Sequence, residues 1–189
     1  MAMASMVVAM AATVHARMPQ PTGPTVRVTI RDLQRTPLPV LGMAKYVAAM
    51  EFAAIDVAVR FDAPSGQAAD AVETIAIDIV ATAPTSASRD ALAEAAPYSV
   101  SGTRITIFYN RLAVITATAP GRLLGYVMAH EIAHVLERVA RHSEGGILKA
   151  HWESSDYGRM GKFGLHFAVE DAELIRDNLQ RTTVAAVGY

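Results

Sequence analysis

A chain of 189 residues, 52% apolar and 19% charged, is long enough for one domain with a substantial core and too hydrophobic for a disordered polymer. Its 17 Lys and Arg balance 18 Asp and Glu, with no basic run, so a nucleic-acid partner has no electrostatic footprint here. The absence of cysteine excludes disulfides and thiolate metal sites, and leaves His, Asp and Glu to hold any metal.

Residues 1–14 are small and apolar, and Val14-His15-Ala16 puts small residues at the two positions a signal peptidase reads. A signal peptide over 1–16 is therefore expected, with export to the periplasm or medium, and the stretch is too short for a stable membrane anchor. Residues 17–24 are proline-rich and read as a linker into one domain over 25–182, with a tail over 183–189.

Alternating β-branched and polar residues predict a strand over 25–31, and Pro37-Leu38-Pro39 opens a helical pattern over 40–54. Alternation returns over 55–61, so this strand, helix and strand suggest a parallel pair joined by a crossover. A third strand is expected over 73–81. Residues 84–96 are polar and alanine-rich and read as a mobile connection with a short helix over 88–95, before a fourth strand over 103–109. A long helix runs from about Pro120 to Val139, with Leu124, Met128, Ile132, Val135 and Val139 on one apolar face. The glycines of 154–164 suggest a loop, and a last helix is expected over 167–181.

The long helix contains His130-Glu131-Ile132-Ala133-His134, an H-E-x-x-H pattern. Four residues of helix turn through about 400°, so the two histidines stand one above the other on a single face. That spacing lets both imidazoles reach one zinc ion, and it sets Glu131 beside the metal, where a glutamate can serve as general base toward water.

These residues resemble those of the zincin metalloproteases, and the stretch beyond His134 is similar to the metzincin branch. In metzincins a third histidine comes after the helix, and a turn carrying methionine passes under the metal. The chain looks still more like a group of small exported bacterial proteins with the pattern H-E-I-G-H-L-L-L-G-x-x-x-H-S-x-x-G-I-M-x-x-x-W. Here the matching residues are His130 to His134, His142-Ser143, Gly146-Ile147-Leu148 and Trp152. Two positions depart from it: Glu137-Arg138-Val139 stands where a glycine usually ends the helix, and Leu148 replaces the turn methionine.

The resemblance implies an α+β, zincin-like fold with a mixed, mainly parallel sheet, the H-E-x-x-H helix and a C-terminal helix. It implies zinc on His130, His134 and His142, Glu131 as general base toward a zinc-activated water, and a peptide or protein substrate. Two other functions remain open: a zinc-binding interaction module without turnover, and a zinc hydrolase of non-peptide amides. Glu153 is the alternative third ligand, as in zincins that take a glutamate from a later helix. Among the other polar residues, His151 reads as a solvated loop residue or an outer-shell group. Tyr109 could bond substrate or sit half-buried on its strand, and Tyr157 could steady an oxyanion. His166 reads as unrelated to the metal.

Overall fold

The computed structural model describes residues 21–61, 71–99, 102–162 and 164–187. The expected signal peptide over 1–16 and most of the expected linker lie outside them. Five strands form one sheet: β1 (Thr25–Asp32), β2 (Ala58–Phe61), β3 (Ala71–Val80), β4 (Ala93–Ser99) and β5 (Gly102–Phe108). The helices are α1 (Leu38–Ala53), α2 (Tyr109–Ala113), α3 (Pro120–Glu137), α4 (Ser154–Lys162) and α5 (Val169–Val187). The strand order is β2-β1-β3-β5-β4, with every pair parallel except the antiparallel β4–β5 pair. This is an α+β protein with a mixed, mostly parallel sheet.

Alternation along the strands decides which face is buried. Val26 and Val28 of β1, Ile75, Ile77 and Ile79 of β3, and Ile105 and Ile107 of β5 are fully buried in one core with α1 and α3. Thr29, Arg31 and Thr74 turn to the solvent on the other face. There Arg31 and Arg104 both donate to the Asp78 carboxylate. Burial pushes the Asp78 carboxyl up, but the two guanidinium groups outweigh it and hold it below the usual range.

The close pairing of α1 with α3 depends on two glycines one helical turn apart. A Cβ at Gly121 would lie 2.9 Å from the Val40 carbonyl oxygen, and one at Gly125 2.8 Å from that of Ala44. Only hydrogen fits at either position. The α3 backbone therefore sits directly on α1, which holds the H-E-x-x-H helix against the core.

Several expectations need correction. Residues 88–95 do not form a helix; from Ala93 they enter β4, because pairing with β5 outweighs alanine's helical preference. Arg111 fixes the approach to that strand by donating to the Ser88 and Ala91 carbonyls. Residues 154–162 form helix α4 rather than a loop. The Asp156 carboxylate accepts the Glu153 N–H at 2.9 Å, one half of a capping box, and Gly158 and Gly161 lie on its exposed side. The β2 strand starts only at Ala58, after Asp56 takes φ 58°, and Tyr109 opens α2 instead of ending β5. Val139 lies beyond the end of α3 and is exposed, so it is not part of the apolar face. The last helix is shifted and longer, running to Val187 past the expected domain end.

Among the described residues, no helix is long and apolar enough to cross a membrane.

Candidate metal centre

Helix α3 places His130 and His134 one turn apart on the side facing away from the core, with their Nε2 atoms 3.0 Å apart. Beyond α3 the chain doubles back, without the glycine that usually allows it. Arg138 takes the left-handed conformation instead, at φ 58° and ψ 21°. A side chain there costs about 1 kcal/mol or more. The structure offsets that cost from α5: the Asn178 amide donates to the Leu136 and Glu137 carbonyls at 3.2 and 2.7 Å, taking up acceptors the helix end leaves free. Arg138 itself donates to the Thr182 hydroxyl.

The return brings His142 Nε2 to 3.3 Å from His134 Nε2, and one donor nitrogen from each of the three histidines lies within 4.8 Å of the others. Two nitrogens about 2.0–2.1 Å from one tetrahedral ion stand about 3.3 Å apart, so this donor set fits zinc. Its chemistry fits as well. The His130 Nδ1–H donates to the Ile147 carbonyl at 2.7 Å, which leaves Nε2 with its lone pair aimed at the cluster. Burial, followed by the neighbouring His142, pushes the His130 pKa down to about 4. Burial and the two other imidazoles push that of His134 down to about 3. Both rings are therefore neutral donors near pH 7.

Beneath the cluster the 143–149 segment folds back on itself. Ser143 N–H donates to the Leu148 carbonyl, and Ile147 N–H to that of His166. Gly146 is required here, since its φ is +76° and a Cβ would lie 2.5 Å from the His166 carbonyl oxygen. Ile147 and Leu148 are fully buried, so Leu148 fills apolar volume where the resemblance places methionine. The Ile147 carbonyl accepts a second bond, from the Trp152 indole at 3.2 Å, and the Trp152 ring stands edge-on to His130.

All three histidines and Glu131 open onto a cleft of about 1060 Å³, one wall of which is Ala93 to Ala95 of β4. Because β4 ends the sheet, its second edge has no strand partner among the described residues. Burial, then the nearby Glu94, pushes the Glu131 pKa up to about 7. A cation on the histidines would pull it the other way.

The expected residues thus divide. His130, His134 and His142 converge, while Glu153 has a side chain 72% exposed and pairs with Lys149, outside the cluster. His151 and Tyr157 line the cleft, and Tyr157 stands edge-on to Trp152. The His166 Nδ1–H donates to the Glu51 carboxylate at 2.8 Å, and its ring is not part of the imidazole cluster. Sequence reasoning missed Glu137, Arg141 and Asp171, which form a network behind His142. Its one local sign is the i,i+4 spacing of Glu137 and Arg141.

Fold and site together define an α+β protein with a three-histidine cluster and a half-buried glutamate in a cleft beside a sheet edge. No protein-family model matches the chain, and no curated protein sequence matches it.

Proposed function

We propose that the chain is a zinc-dependent metallopeptidase with a zincin-like fold of the metzincin-like branch. The observation that carries this reading is the convergence of three histidine donors near Glu131 in a cleft walled by a strand edge that has no strand partner among the described residues. His130, His134 and His142 hold the ion. Zinc bound there supplies a Lewis acid that polarises a carbonyl and lowers the pKa of water. Glu131 takes the proton from the attacking water on a carboxylate oxygen and returns it to the leaving nitrogen. The N–H and C=O groups along the outer edge of β4 bind an extended peptide backbone as an added strand.

The reading includes export, on the strength of the 1–16 segment, and intact mass of the protein from its host should place the mature N-terminus at Arg17.

The test of function is a mixed-peptide cleavage screen with and without chelator, run on wild type and Glu131→Ala. Wild type should hold about one zinc per chain and cleave, chelation should stop cleavage, and added zinc should restore it. Glu131→Ala should keep its zinc and lose two or more orders of magnitude of turnover, about the scale of a general base. A wild type that holds zinc and cleaves nothing would favour the interaction module without turnover.

A further inference from the structure

His130 and His134 are fixed by a rigid helix, and His130 is also oriented by the Ile147 carbonyl. His142 stands on a loop with its ring exposed, and among the described residues it meets no carbonyl or carboxylate acceptor of that kind. Something else must hold it within 3.3 Å of His134. The residues on either side of it in sequence converge on one buried group. Arg141 donates to Asp171 Oδ1 at 2.7 Å, and the Ser143 hydroxyl donates to the same oxygen at 2.5 Å. Asp171 is fully buried in the first turn of α5, where the helix N-terminus favours negative charge.

We propose that Asp171 is a positioning residue for the metal site: by gripping Arg141 and Ser143, it fixes the loop that presents His142 to the other two imidazoles. The proposal rests on His142 being the third ligand. Its physical basis is a difference in stiffness. The reversal at Arg138 uses a backbone conformation that a side chain disfavours, and each bond to Asp171 holds the loop against the alternatives before the metal arrives. The ordering cost is then met on folding rather than on metal binding. Glu137 supports the grip from the end of α3, its Oε1 accepting from Arg141 at 3.1 Å. Glu137 Oε2 and Asp171 Oδ2 are buried without a hydrogen-bond partner among the described residues.

The test measures zinc affinity by competition with a chromophoric chelator, for wild type, Asp171→Asn, Ser143→Ala, His142→Ala and Asp78→Asn. Asp171→Asn keeps the shape but loses the charge facing Arg141, and should weaken zinc by about ten- to a hundred-fold, the usual scale for an outer-shell partner. Ser143→Ala should move affinity the same way by less, and His142→Ala should weaken it by far more than either. Asp78→Asn breaks the contacts to Arg31 and Arg104 on the sheet face opposite the core, so it should lower stability and leave affinity unchanged. Cobalt(II) loaded in place of zinc should show an altered visible spectrum in Asp171→Asn and not in Asp78→Asn. A folded Asp171→Asn with wild-type affinity would overturn the proposal, as would an equal loss in Asp78→Asn. Should Asp171→Asn fail to fold, Ser143→Ala decides, and unchanged affinity there rejects the grip. If His142→Ala binds zinc as tightly as wild type, the ligand assignment itself falls and the grip falls with it. Retained weakening in His142→Ala beside an unchanged Asp171→Asn would reject the grip alone.

Discussion

His130 and His134 need only an intact helix to face one ion, whereas His142 needs a chain reversal that this sequence makes without glycine. That difference separates the two candidates for third ligand. The reversal is built: Arg138 adopts a left-handed conformation, Asn178 satisfies the exposed carbonyls, and His142 arrives beside His134. Glu153 points to solvent and pairs with Lys149 at 3.3 Å, an exposed ion pair worth little. His142→Ala should therefore lose zinc under mild chelation, while Glu153→Ala should retain it. Zinc content after dialysis against a weak chelator checks this, and the reverse result would assign the ligand to glutamate.

At the scale of elements, packing and propensity make opposite forecasts for one residue. Alanine at Gly125 improves helix propensity by about 1 kcal/mol. The added Cβ, however, would meet the Ala44 carbonyl oxygen at 2.8 Å and the Val47 side chain at 2.7 Å, and a backbone oxygen cannot move aside cheaply. Overpacking of this kind costs about 1–3 kcal/mol, so Gly125→Ala should lower stability despite its better propensity. Denaturant midpoints decide the sign, and a more stable variant would show that α1 is free to shift.

The same contest explains what could be read from the chain. The strands β1, β3 and β5 were legible because alternating apolar residues reflect one buried face, and α3 because its apolar residues recur with helical spacing. His130, Glu131 and His134 were legible because the chemistry fixes both residue type and spacing. The strand β4 was not, since Ala93-Glu94-Ala95 favours helix locally and becomes strand only by pairing with β5. Helix α4 was hidden because Gly158 and Gly161 read as breakers; each costs about 1 kcal/mol against alanine, yet Asp156, bonded to the Glu153 N–H and to Lys149, holds the first turn. Asp171 was invisible for a different reason: its partners lie 28 and 30 residues away, and no local pattern encodes that meeting.

For the whole molecule, the buried acids behind His142 tie stability to pH. Burial is the main cause that pushes the Glu137 carboxyl from 4.5 up to about 7; the Asp171 carboxylate adds to it and Arg141 opposes it. Below pH 4.5 Glu137 carries its proton in both folded and unfolded chains. Between 4.5 and about 7 the folded protein keeps a proton that the unfolded chain has released, so the contribution to stability falls as pH rises through that window and is gone above it. The Asp78 carboxyl acts in the opposite sense, and only under acid, since its folded pKa is depressed below 3.8. Glu131 shares the direction of Glu137, so a wild-type profile alone does not separate them. Glu137→Gln does. Glutamine mimics the protonated acid and has no charge to bury, so at pH 5 the variant should be close to wild type. By pH 8 it should have gained on wild type, which must then hold a buried carboxylate against Asp171. Urea midpoints of both proteins, measured from pH 5 to 8 in the same chelator, should diverge in favour of the glutamine variant up to about pH 7 and hold a constant gap above it. A constant difference across that range would mean that Arg141 keeps Glu137 ionised throughout.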